Sequence, residues 1–197
     1  MAATVQKWAG DVPKDFRFTF KLFREITHNK GLTFNPEQIY HFMNTIDYVG
    51  TKRGCLLAQF PPSTRIDSFI QFTSLIYFLR LADPDLTWDI AFEFRHSSWY
   101  CGEVYELLAE NKMAMVIHDK TPANTPMIDN DTSFAYLRFH GPGGNYRGTY
   151  PDDVLYEYAS YIKDWQLEGK KIYVYFNNTM GSAIDNRNTL LKIVENL

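Results

Sequence analysis

AYLRFHGPGGNYRGTY, residues 135–150, begins as a strand and breaks into a glycine-rich loop. Leu137 and Phe139 alternate with Arg138 and His140, so the two pairs look to opposite faces of a sheet. The alternation recurs elsewhere. Phe16, Phe18 and Phe20 alternate with Arg17, Thr19 and Lys21, and Phe92 and Phe94 with Glu93 and Arg95. Ile172, Val174 and Phe176 alternate with Tyr173, Tyr175 and Asn177. Strands of an open doubly wound sheet, covered by helices on both faces, should be apolar on both. One apolar and one mixed set instead predicts a TIM-type (β/α) barrel, the apolar set meeting outer helices and the mixed set pointing inward.

Outward from that stretch, six β-type runs stand out: 16–21, 54–60, 87–94, 113–118, 133–140 and 171–177. Helical patterns separate most of them. NPEQIYHFMNTIDYVG offers Asn35 as an N-cap and Pro36 at the first helical position, and ends near Gly50. RIDSFIQFTSLIYFLRL carries Ile66, Phe69, Ile70, Phe72, Ile76 and Leu79 on one broad apolar face. WYCGEVYELLAEN, PDDVLYEYASYIKDW and NRNTLLKIVENL supply further helices, whereas 118–133 reads as proline-broken loop. Alternating strands and helices predict an α/β fold with a mainly parallel sheet in one domain over 1–197. A closed barrel needs eight strands, so the six visible here predict one lacking its first two βα units.

The chain has 197 residues, 45% hydrophobic and 16% aromatic, which suffices for one well-filled core. Its 20 basic and 23 acidic residues are interspersed, with a net charge of -3. That balance provides no field to attract nucleic acid or an anionic membrane. No apolar stretch approaches the ~20 residues that span a bilayer, and MAATVQKWAGDVP lacks a secretory layout. Cys55 and Cys101 have no metal-like spacing and make no disulfide framework. A cytoplasmic protein with reduced thiols is expected.

Polar residues gather at the carboxyl ends of the strands, where both parallel architectures place ligands. The candidates for catalysis are Lys21, Glu93, Arg95, Arg138 and His140. Gln59, His118, Asn177 and Asn178 occupy equivalent strand ends, and His28 lies on the loop after the first strand. Isolated buried charges are costly, so such groups persist either in a paired structural network or around a wet pocket. The GPGGNYRG loop adds Gly141, Gly143, Gly144, Tyr146 and Arg147 as ligand-binding candidates. Its glycines would let backbone N–H groups approach an anion, with Arg138 or Arg147 clamping it. The loop is neither a Walker loop nor a G-x-G-x-x-G fingerprint. His118, Asp119, His140 and Glu93 form a weak metal reading without a strong zinc signature, so no metal ligands are assigned and a divalent metal is not favoured. Ser97 or Ser98 is expected to cap the helix beginning near Trp99. His41 is read as a surface residue of its helix.

FEFRHSSW, YLRFHGPGGNYRG and YVYFNNTMGSAIDN, preceded by WAGDVPKDFRFTFKLFREITH and CLLAQFPPS, resemble the YecE-like proteins, domain of unknown function 72. The resemblance covers essentially the whole chain. It implies a TIM-type barrel distantly similar to sugar isomerases and apurinic endonucleases, without an assigned activity. Residues matching the family's motifs are Lys21, Thr27, His28, Gln59, Glu93, Arg95, Ser98, Trp99, Arg138, His140, Gly141, Asn177 and Asn178. The family pattern sets two strands, one with a Gly-Trp motif, ahead of the segment where this chain starts. The resemblance thus implies two bare sheet edges, which would invite association between copies.

These readings converge on an enzyme acting on a small anionic substrate, bearing phosphate or carboxylate, at the barrel mouth. Glu93 or His140 would exchange a proton and Lys21, Arg95 and Arg138 would hold developing negative charge, as in a hydrolase, lyase or isomerase. The alternatives are a phosphodiester-processing protein, disfavoured by five scattered histidines and the negative net charge, and a non-catalytic binding protein.

Overall fold

The computed structural model describes residues 2–127 and 132–197. The chain divides into two compact units, Met1–Met113 and Ala114–Leu197. Both are α/β with parallel strands, as the alternation predicts.

The first unit opens with helix α1 (Ala2–Gly10), which the apolar pattern did not announce because it buries only Val5. Lys52 holds its end, the ammonium donating to the carbonyls of Ala9 at 2.5 Å and Val12 at 2.7 Å. Strand β1 (Phe18–Lys21), the short α2 (Arg24–Thr27), α3 (Pro36–Ile46), β2 (Arg53–Gln59), α4 (Phe69–Ala82), β3 (Asp89–Glu93) and α5 (Gly102–Glu110) follow. Asn35 caps α3 as expected. Its side chain accepts from the Glu37 N–H at 3.0 Å while Gln38 reaches back to the Asn35 N–H, and Pro36 fills N1. β1, β2 and β3 lie side by side, with Lys21 opposite Leu57 and Gln59 opposite Glu93.

The even-numbered side chains of these strands form the apolar face. Phe72 of α4 meets Phe92 at 5.0 Å and Trp99 at 5.1 Å between ring centroids, and Phe94 stacks on Trp99 at 4.8 Å. All four rings are fully buried. Two expectations change. Ile70 is 78% exposed and leaves the apolar face of α4, which is completed by Leu75 instead. The serines of RHSSW do not cap a helix. The His96 ring accepts from the Ser98 N–H at 3.2 Å, the Ser98 hydroxyl accepts from the Ile66 N–H at 3.1 Å, and α5 begins only at Gly102.

In the second unit the run 113–118 is split into β4 (Ala114–Met115) and β5 (Ile117–His118). Thr125, in the following loop, takes the backbone groups there. Its hydroxyl donates to the Val116 carbonyl at 2.8 Å and its N–H to the His118 carbonyl at 2.9 Å. β6 (Phe134–Phe139), β7 (Arg147–Gly148), α6 (Asp152–Leu167), β8 (Lys171–Phe176), β9 (Met180–Gly181) and α7 (Ala183–Asn196) complete the chain. β5, β6 and β8 form a parallel sheet in that order. Ile117, Leu137 and Val174 stand in register, as do Phe139 and Phe176. These side chains pack with Leu155, Ala159, Ile162 and Trp165 of α6 and Leu190 and Val194 of α7 in one apolar cluster. His118, Arg138 and Tyr175, also in register, take the opposite face. β7 and β9 are a two-residue parallel pair that ties the loop after β6 to the loop after β8.

Candidate functional site

At the carboxyl edge of the first unit's sheet, Lys21, Gln59 and Glu93 are the last residues of adjoining strands, and Arg95 follows two residues after β3. The Lys21 ammonium donates to Gln59 Oε1 at 2.7 Å, and Gln59 Nε2 donates to the Phe60 carbonyl at 3.0 Å, which settles the amide's orientation. Glu93 is fully buried and forms an ion pair with the Arg95 guanidinium, itself only 9% exposed. His28 shares a hydrogen bond with the Thr27 hydroxyl at 2.7 Å. Burial, then the positive charges of Arg24 and Lys21, hold the His28 ring below its ordinary pKa against a weaker opposing pull from Glu25, so it is neutral near pH 7.

The second unit's sheet edge is built differently. His140, one residue past β6, is completely buried. Its backbone N–H donates to Asp119 Oδ1 at 2.7 Å, and its Nδ1 lies 3.2 Å from the same oxygen. The Tyr150 hydroxyl donates to Asp119 Oδ2 and accepts the Gly141 N–H at 2.5 Å. Burial alone would push the Asp119 carboxyl up, but bonds from the His140 side chain, the Tyr150 hydroxyl and the His140 N–H outweigh it and hold the group below its usual range. Burial and the Asp119 charge push Tyr150 far up, so it stays a neutral donor. An ionised Asp119 accepts only, so His140 Nδ1 carries a proton toward it.

Around that pair stand His118, whose ring meets the His140 ring edge-to-face at 5.9 Å, and Arg138, whose Nε donates to Asn177 Oδ1 at 3.1 Å. His118 Nδ1 accepts from the Lys120 N–H at 3.1 Å. The Lys120 ammonium lies 4.2 Å above the Tyr146 ring and donates to the Gly144 carbonyl, drawing the 119–127 loop onto the glycine loop. Tyr146 sits at φ +67, a conformation costly for a bulky side chain, with its ring 5.5 Å from that of His140.

Most of the loop's N–H groups are engaged within the chain. Gly141 donates to Tyr150, Gly144 to the Gly141 carbonyl at 2.7 Å, Tyr146 to the His140 carbonyl at 2.6 Å, and Arg147 to Asn145 Oδ1 at 3.2 Å. The glycines serve close approach instead. A Cβ on Gly141 would fall 2.2 Å from the Arg147 carbonyl oxygen, and Gly141 has φ +93. Gly143 and Arg147 face solvent. Asn178 turns away from Arg138. Its amide donates to the Gly148 carbonyl and to Asn186 Oδ1, both at 2.9 Å, while Asn186 holds the Tyr150 backbone. Strand alternation marks none of Lys120, Tyr150 and Asn186, although Asn186 closes the YVYFNNTMGSAIDN motif, and the sequence offers Asp119 only as a metal partner. Among the described residues no three His, Cys, Asp or Glu side chains come together as a metal site. No helix among them is long and apolar enough to cross a membrane.

Residues 1–196 match a family model described as "Protein of unknown function DUF72". The chain belongs to this family. The YecE-like resemblance seen in the five motifs is thereby confirmed. The UPF0759 protein YunF of Bacillus subtilis is 24% identical, over 96% of this chain and 77% of its own length. The crystal structure of a DUF72 family protein from Thermotoga maritima superposes with a TM-score of 0.75 and 26% identity, covering 98% of this chain and 79% of that one.

Proposed function

We propose that this DUF72 protein is an acid–base enzyme acting on a small anionic substrate, with His140 as the catalytic residue. The observation that carries the reading is the pairing of the buried His140 with Asp119, closed off by Tyr150, with Lys120 on the Tyr146 ring and Arg138 two residues before His140 on β6. Asp119 selects the tautomer in which His140 Nε2 accepts a proton and then stabilises the imidazolium that forms; microscopic reversal returns the proton to product. Arg138, anchored through Asn177, presents a permanent positive charge for a phosphate or carboxylate, and Lys120 adds a second. Because most loop N–H groups are engaged, side chains and not the glycine backbone would carry the anion. Such chemistry suits a lyase, an isomerase or a hydrolase.

The proposal takes the alternation of strand and helix as the plan of a TIM-type (β/α) barrel, with Lys21, Gln59, Glu93 and Arg95 as further mouth residues. It places the protein in the cytoplasm, where Cys55 and Cys101 would stay reduced. The endonuclease-like alternative draws less support, since among the described residues no three His, Cys, Asp or Glu side chains are placed to hold a metal ion. The test is thermal denaturation with inorganic phosphate, glycerol 3-phosphate and malonate. At least one should raise the Tm, and Arg138→Ala should abolish the rise while leaving the unliganded Tm within a few degrees. An unchanged Tm with every anion, or an undiminished shift in Arg138→Ala, overturns the reading.

A further inference from the structure

A second concavity lies on the opposite face of β8 from Tyr175 and Asn177. It is a groove of about 280 Å³ between β8, α6 and α7. Its floor is the half-buried row Ile172, Val174 and Phe176, with Leu191 of α7, itself 42% exposed, on one wall. Among the described residues two polar side chains line it, Gln166 and Arg187.

Chain direction places those two at opposite ends. Gln166 ends α6 just before β8 begins at Lys171, so it sits beside Ile172. Arg187 lies one turn into α7, soon after β8 ends at Phe176, so it sits beside Phe176. The groove is therefore an apolar trench with a cation at one end. Four strand steps from Ile172 to Phe176 make it about 13 Å long. The Arg187 guanidinium donates to the neutral Asn188 Oδ1 at 2.9 Å and forms no ion pair with a carboxylate among the described residues.

We propose that this groove binds an amphiphilic anion of the medium-chain fatty-acid type. The carboxylate takes the Arg187 fork, and the alkyl chain lies along Ile172, Val174 and Phe176. An extended chain of about ten carbons with its carboxylate matches the length, since each ~1.5 Å carbon–carbon bond advances a zigzag chain by somewhat less than itself. Burying it removes from water both the chain and the uncovered strand face, while the forked, charge-assisted bond fixes the head and rejects neutral or cationic analogues. The site stands apart from the Asp119–His140 pair and does not rest on the reading of that pair.

The experiment is isothermal titration of the full chain with decanoate, decanol and decylamine, for the wild type, Arg187→Gln and Leu191→Glu. Decanoate should bind saturably at one site, and Arg187→Gln should weaken it about tenfold or more without changing the weaker binding of decanol. Leu191→Glu, a substitution at a partly exposed wall, should weaken both. Equal affinity of wild type and Arg187→Gln for decanoate overturns the proposal, as does equal binding of decylamine or no saturable binding. Sedimentation showing a dimer that Leu191→Glu dissociates makes a second copy the occupant, and this too overturns it.

Discussion

The two sheet edges start from the same pattern and end differently. In the first unit, Glu93 at the end of β3 forms an ion pair with Arg95 two residues further on, and Lys21 is met by Gln59 of the adjoining strand. In the second, His140 is held by Asp119 from one loop, Asp119 is held in turn by Tyr150 from beyond another, and the Tyr150 backbone is held by Asn186 of a helix. In the first arrangement Glu93 and Arg95 offset each other's charge, while Lys21 meets a neutral amide. The second orients a titratable ring without cancelling it. What distinguishes a structural ion pair from a candidate base is therefore the origin of the partner. A partner two residues away on the strand neutralises; one brought in by loops can aim.

Breaking each edge should expose the contrast, and the largest effect belongs to the first. Glu93→Gln leaves the Arg95 charge buried without its carboxylate and should lower unfolding stability by about 3–5 kcal/mol in urea titrations. Replacing both Glu93 and Arg95 with Met should restore most of that loss, as expected of a pair whose desolvation offsets its attraction. If the double variant is as unstable as the single one, the pair does more than cancel charge.

Gly141→Ala should come next, at about 2–4 kcal/mol. It forces a Cβ against the Arg147 carbonyl at a φ that only glycine adopts easily. Its signature would be increased amide exchange over 140–150, with β1, β2 and β3 unaffected.

Asp119→Asn should cost about 1.5–3 kcal/mol at pH 7, from the charge-assisted bonds it weakens. The pH dependence gives a sharper test. The folded pKa of Asp119 lies below the unfolded carboxylate value of about 4, so its contribution is complete above that value and lost as pH falls through the folded one. Tyr150 is raised, so its contribution is complete below the unfolded tyrosine value of about 10 and lost as pH rises toward the folded one. Asp119→Asn should flatten both limbs of the stability–pH curve, and Tyr150→Phe mainly the alkaline limb. Two unaltered limbs in Asp119→Asn would mean that the network does not titrate as a unit.

The smallest effect should come from Lys21→Met. It removes an exposed hydrogen bond to Gln59 and should change stability by no more than about 1 kcal/mol, measured in the same titrations.

Much of the architecture could be read without coordinates. The cap at Asn35 and Pro36 was legible because capping is a matter of adjacent residues. The helix α1 escaped notice because it buries a single apolar side chain and is held by Lys52, more than forty positions away. RHSSW misled because a serine's preference for helix starts is weaker than the bonds that His96 and Ile66 offer Ser98. Arg138 and His140 were recognisable as candidates from strand alternation, but the hydrogen bonds that join His140 to Asp119 were not, since the sequence offered Asp119 only as a weak metal partner.

By itself, the sequence determined which side chains share a face, where the strands end and to which family the chain belongs. Those properties follow from a two-residue period and from ordered motifs, which are local. The tertiary structure alone decided which groups meet at each strand end: Glu93 with Arg95, His140 with Asp119 and Tyr150, Asn178 with Asn186. Periodicity sets a side chain's direction, whereas its partner depends on where distant loops and helices come to rest.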